Sequence, residues 1–159
     1  MRRDALAAIE GLYRARYAVF LRVATAICGD AALAEDVVHE SFVRAVRHRA
    51  DLRDPAALEP WMWRILVNEA RKRRAAEQRL VRVAEETHER AATNGDHGRV
   101  RALIAVLPDR QRHALFLRYY ADLDYEAIAA ALGISAGTVA ATLHAAREAL
   151  RTQLTEVER

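Results

Sequence analysis

Along nearly the whole chain, apolar residues recur at intervals of three and four, and nowhere do they alternate with polar ones at the two-residue period of a strand. Leu12, Val19, Phe20, Val23 and Ile27 set the pattern. Gly29-Asp30 interrupts it, with Asp30 placed to cap a second helix over residues 31–49 that carries Leu33, Val37, Val38, Phe42 and Val46 on one face. Residues 50–60 hold two of the three prolines and read as a loop with at most a helical turn. A third helix starts near Trp61, carries Ile65 and Leu66, and turns basic at Arg71, Lys72, Arg73 and Arg74. Apolar residues then thin out, and residues 93–98 (TNGDHG) form the clearest linker. The pattern resumes at Val100, Leu103, Ile104 and Leu107, stops at Pro108, and returns in helices over 109–120, 125–132 and 136–157. Thirty-four alanines against six glycines and three prolines suit helices throughout. The expectation is an all-α chain: a three- or four-helix bundle over 1–80, a linker over 81–98, and a second helical domain over 99–159.

Several chemistries fall away. The single cysteine, Cys28, excludes a disulfide framework and any multi-cysteine zinc site. His39-Glu40 begins a zinc-protease motif, but position 43 is Val43, and Cys28, His39 and His48 have no ligand spacing. Residues 133–137, GISAG, match the nucleophile-elbow pattern literally, yet a helix precedes Ser135 where that chemistry needs a strand. No glycine loop for a nucleotide exists. The chain is therefore expected to hold no catalytic site, metal or cofactor and to take no small-molecule substrate. With no run approaching 18 apolar residues and no signal-peptide pattern, it is expected to be soluble and cytoplasmic, without membrane insertion.

The net charge of +3 conceals a gradient. Residues 64–82 carry seven basic and two acidic side chains, a local +5, so the rest of the chain sums to −2. Such a patch attracts a phosphate backbone, although a solvated helix C-terminus gathers the same charges. Trp61 and Trp63 just upstream offer faces for base stacking, while tryptophan at helical spacing also serves cores, and one of the two is expected there. The second domain carries a sharper signal. A short helix over 125–132, a turn at Gly133, and a second helix capped by Ser135 make a helix-turn-helix, with Ile128, Leu132, Ile134, Val139 and Leu143 packing its angle.

With these elements in place, the chain resembles bacterial sigma factors of the two-domain extracytoplasmic-function (ECF) type. Residues 34–45, AEDVVHESFVRA, are similar to a region 2 stretch of that family, and residues 61–71, WMWRILVNEAR, to its W-L-x-x-I-x-x-N-x-A helix. Residues 107–112 (LPDRQR), 117–120 (LRYY), 124–129 (DYEAIA), 132–135 (LGIS) and 137–139 (GTV) resemble region 4. The resemblance implies a promoter-specificity subunit rather than an enzyme, with region 2 over 1–80 and region 4 over 99–159. It implies that Asp36, Glu40, Phe42 and Arg44 meet the clamp helices of core RNA polymerase. Trp61, Trp63, Asn68, Arg71, Arg73 and Arg74 would contact the −10 element, with the 50–58 loop as a pocket for an unstacked base. Ser135, Thr138, Ala141, Thr142, His144 and Arg147 would face the −35 element. An anti-sigma partner is a further family-level expectation.

Two departures stand out. His39 replaces the family's usual glutamine, and the recognition helix lacks its usual cations: residues 136–146 contain no formal charge, with Ala140, Thr142 and Ala145 at the customary Lys and Arg positions. A lost arginine–guanine pair costs about 1–3 kcal/mol. The reading is therefore a sigma factor with weak or atypical −35 recognition. The alternative is a sigma-fold interaction protein that needs an activator or titrates polymerase or a regulator.

Overall fold

The computed structural model describes residues 2–84 and 96–157. Among these residues the chain forms seven α-helices and no strand: α1 (Arg2–Cys28), α2 (Ala31–Arg47), α3 (Leu58–Ala84), α4 (Asp96–Ala105), α5 (Asp109–Tyr119), α6 (Tyr125–Leu132) and α7 (Ala136–Val157). Gly29 ends α1 with φ +75°, a conformation that costs glycine little, and the Asp30 carboxylate caps α2 by accepting from the Leu33 N–H at 2.9 Å. Between α2 and α3 lie two 3₁₀ turns, Arg49–Asp51 and Pro55–Ala57, where the sequence suggested at most one helical turn. Asp54 caps the second by accepting from Ala56 N–H. That start lets α3 begin at Leu58, ahead of Trp61, and Pro60 sits in its first turn, where a missing N–H leaves no hydrogen bond unmade.

Helices α1, α2 and α3 pack side by side around Phe20, Ile27, Val37, Trp63 and Leu66, all essentially inaccessible. Phe20 and Trp63 meet with ring centroids 4.5 Å apart, which adds an aromatic contact to the area they bury. In the C-terminal half, α6 and α7 cross at 97°. Three devices set this corner. Gly133 closes α6 with φ +68°, Ile134 N–H returns to the Ala129 carbonyl at 3.0 Å, and the Ser135 hydroxyl accepts from Thr138 N–H at 3.1 Å. Ile128, Val139 and Leu143 are sealed inside the corner, as their spacing predicts.

Two features of the structure add to these expectations. Asp96, His97 and Gly98, placed in the linker, form the first turn of α4; residues 85–95 of that linker lie outside the described residues. More consequentially, the halves pack together. Helix α3 lies against α6 and α1 against α5, and the buried residues of both halves join one cluster. Helix α5 shows the effect most plainly: six consecutive residues, from Arg112 to Leu117, are buried, because α7 and α6 cover one side while the N-terminal bundle covers another.

Candidate functional site

The basic helix α3 presents its residues unequally. Trp61 is half-buried, and Arg64 and Asn68, placed one and two turns on, are exposed. Trp63 points the other way: it is fully buried against Phe20, with its indole N–H 3.4 Å from Glu59. It cannot stack on a base, so its place among the −10 contacts is corrected to a core role. The arginines diverge as well. Arg73 is half-buried, Arg74 donates to the Ile27 carbonyl at 2.9 Å, and Arg71 turns towards the C-terminal half.

Helix α2 keeps Asp36 exposed and Glu40 half-exposed, a turn apart on one face. Phe42 packs on Tyr13 of α1 at 4.4 Å between centroids, and Tyr13 meets Tyr17 edge-on at 5.4 Å. A shallow depression lined by Glu10, Tyr13, Arg14 and Phe42 adjoins this surface. Burial, and secondarily the neighbouring Tyr17, raises the Tyr13 phenol above its usual range, so it remains a neutral contact. Arg44, itself partly exposed, makes an ion pair of 3.0 Å with Glu69, whose side chain is only 7% exposed. Glu69 also has Lys72 at 3.8 Å. This α2–α3 tie was invisible in the sequence, where Glu69 reads as one more polar residue.

On α7 the front is neutral in space as well as in sequence. Ala141 and His144 are exposed, Thr142 is half-buried, and the Ser135 and Thr138 hydroxyls bond each other at 2.8 Å. Arg147 is set to the side: its Nε donates to the Tyr119 hydroxyl at 2.9 Å, and its guanidinium lies 5.9 Å from that ring's centroid. The Tyr119 hydrogen bond, reinforced by Tyr125, raises its already high pKa. Arg118 lies over the Tyr125 ring at 6.0 Å.

Where the halves meet, Arg71 Nε donates to Nδ1 of His113 on α5 at 3.1 Å. His113 is 1% exposed, and its Nε2, which carries the proton when Nδ1 accepts, has no partner. Burial first, then the positive charge of Arg71, pushes the imidazole down to about 4. Beside it the buried Arg112 donates to the Ala105 carbonyl at 2.9 Å and pairs with Asp109. A second link joins Arg16 of α1 to the Ala121 carbonyl at 2.9 Å and to Glu59 at 3.0 Å. His113 and Arg16 were missed from sequence because nothing in their local pattern distinguishes them from solvated polar residues.

Burial pushes the Cys28 thiol up to about 11, so it is not a nucleophile at neutral pH. No cluster of three or more potential metal ligands occurs among the described residues, and no single helix there is long and apolar enough to cross a membrane.

An acidic and aromatic face on α1 and α2, a basic helix bearing an exposed asparagine, and a capped helix-turn-helix define a DNA-binding transcription protein. Comparison with known proteins makes this specific. Residues 12–80 match Sigma-70 region 2, and residues 97–150 match Sigma-70, region 4. The ECF RNA polymerase sigma factor SigL of Mycobacterium tuberculosis is 32% identical, over 95% of this chain and 91% of its own length. The sigma-E factor of Streptomyces coelicolor is 29% identical over 91% of this chain and 85% of its own. In fold, the chain resembles CnrH in the structure of CnrH in complex with the cytosolic domain of CnrY, with a TM-score of 0.73 at 23% identity, covering 98% of this chain and 95% of that one. It also resembles RpoE of Bartonella quintana, solved with the anti-sigma factor NepR, with a TM-score of 0.70 at 22% identity, covering 94% and 99%. The chain belongs to the ECF-type sigma factors: it is a non-enzymatic RNA polymerase subunit for promoter-directed initiation.

Proposed function

We propose that residues 1–80 dock on core polymerase and engage a −10 element, and that residues 99–159, after a linker over 81–98, address the −35 region weakly. The observation that carries this division is the contrast between α3 and α7. The first displays Trp61 at the head of a +5 segment in which Arg64 and Asn68 are exposed; the second has a front without a cation. Asn68 suits a base edge, Trp61 an unstacked base, and Arg71, Arg73 and Arg74 phosphates. The 50–58 segment, largely exposed, borders Trp61 and suits the pocket. Asp36 and Glu40 supply a negative stripe for polymerase, with Phe42 and Tyr13 as its apolar anchor. Arg44, partly exposed and anchored by Glu69, joins that face. On α7, Ala141 suits a thymine methyl, and Thr138, Thr142 and His144 suit base edges or phosphates, with Ser135 and Arg147 at the margins.

A protein with this role works in the cytoplasm. Since both solved relatives are held by a second protein, one by the cytosolic domain of CnrY and one by an anti-sigma factor, an anti-sigma partner is proposed here too. The neutral α7 front favours a second reading, in which an activator holds region 4 at the promoter. Promoter-dependent run-off transcription with purified core polymerase on a genomic promoter library tests both. Transcripts sharing a −10 motif with little −35 preference are expected. Core binding with transcription only after a second protein is added would favour the activator, and no transcript under either condition would refute the proposal.

A further inference from the structure

The helix-turn-helix of this chain is acidic. Between Arg118 and Arg147 lie Asp122, Asp124 and Glu126 and no lysine or arginine, a local charge of −3 over the corner. A phosphate backbone laid on such a surface needs a cation at its edge, and the arginines available there differ. Arg118 donates to the Leu123 carbonyl at 3.0 Å and stands 3.8 Å from Asp122, so its charge is already answered. Arg151, one turn beyond Arg147, pairs with Glu148 at 2.7 Å. Arg147 is held by Tyr119 of α5 instead, through Nε to the hydroxyl at 2.9 Å, and that tyrosine is 60% exposed. We propose that Arg147 is the clamp by which region 4 grips a backbone phosphate of duplex DNA and that Tyr119 is its positioning residue, roles that rest on the reading of α7 as the DNA-facing helix.

A tyrosine hydroxyl orients a guanidinium without neutralising it. A carboxylate in its place would hold the same side chain and cancel the charge that an anion needs. Nε is engaged by Tyr119, and the terminal amino groups keep N–H donors that a phosphate accepts through charge-assisted hydrogen bonds. Tyr125, the first residue of α6, adds its hydroxyl to the same guanidinium, so the clamp is braced by both α5 and α6. Arg147 also lies one turn from His144, at the edge of the exposed front that includes Ala141 and Ala145. One strand of a duplex seated on that front passes this edge, which favours DNA over an acidic protein segment as the ligand. A phosphate contact carries no base preference, so the clamp supplies a sequence-independent hold where base-reading cations are missing.

The test uses the full chain and a fluorescein-labelled duplex of mixed sequence, with affinity read by anisotropy across a salt series. Wild type is compared with Arg147→Ala, Tyr119→Phe, the double variant, and Ala141→Arg as a reference for the α7 front. Arg147→Ala should weaken low-salt binding roughly 10-fold and lower the salt slope by about one unit. Tyr119→Phe keeps the ring and the charge but loses the hydroxyl, so it should weaken binding about 2- to 10-fold with the slope nearly unchanged. Adding Tyr119→Phe to Arg147→Ala should cost nothing more, a coupling that a merely structural tyrosine would not show. Unchanged affinity and slope in Arg147→Ala, with Ala141→Arg still tightening binding, overturns the clamp and leaves α7 facing DNA. No effect of either substitution overturns that reading and the clamp with it. A Tyr119→Phe loss that is equal in both backgrounds, or absent from both, overturns the positioning role.

Discussion

Lowering the pH should part the two halves, and the size of the effect follows from His113. Its imidazole faces Arg71 and Arg74 of α3 and Arg112 and Asp109 of α5, and burial together with the three arginines holds its pKa at about 4 in the packed state. Released to water, it returns to an ordinary value near 6.5. A group whose pKa is depressed by packing favours packing only while neutral. The contribution is thus fully present above about pH 6.5 and is lost progressively as the pH falls towards 4. At about pH 5.5 the exposed imidazole is some ten parts protonated to one, whereas the packed one is almost wholly neutral, so the closing equilibrium weakens roughly 10-fold. That factor is insensitive to the packed-state value so long as it lies well below 5.5. Scattering profiles of the free protein at about pH 7.5 and 5.5 should show an increase in radius of gyration, and His113→Phe should remove most of the difference. A wild-type profile unchanged across that range, or an equal change in His113→Phe, would refute the assignment of the buried imidazole to the interface.

Five further substitutions separate core, backbone and DNA contributions. Trp63→Ala should cost about 3–5 kcal/mol, and Trp61→Ala, at a half-buried site, much less while weakening single-strand binding, as urea unfolding and anisotropy would show. Gly133→Ala meets no atom within 4 Å but imposes φ +68° on a residue with a Cβ, so about 1–2 kcal/mol should be lost; Gly11→Ala, also in open space but inside α1, should gain about 0.5–1 kcal/mol in the same assay. Ala141→Arg places a cation on the neutral α7 front and should tighten duplex binding while steepening its salt dependence by about one unit of slope.

Helix periods were legible where the buried residues of a helix keep to one stripe. The α7 stripe of Val139, Leu143 and Ala146 is buried as its spacing demands, and the Asp30 and Ser135 caps fall where the chain has the side chains for them. The start of α3 was less legible, since Pro55 and Pro60 look like breakers until Asp54 is seen to cap the turn before them. At the site, Asn68 stands exposed as its place on the helix suggests, whereas Trp61 and Trp63, two residues apart, could be assigned to surface and core only by seeing which one meets Phe20.

The packing of the halves escaped sequence reasoning for a different physical reason. An amphipathic pattern reports one burying surface, and a helix covered on two sides by separate partners shows no simple stripe. Residues 109–113, DRQRH, read as solvated, yet Arg112 and His113 are among the most buried polar residues of the chain. They are buried there because the second surface is made by the N-terminal half. Apolar residues there would hold the halves together and would leave α5 sticky once open. Polar ones, each with a hydrogen-bonding atom left unfilled, lower the cost of opening and leave a surface that water accepts. The polarity that hid the interface from the sequence also makes it less costly to open than an apolar one of the same size.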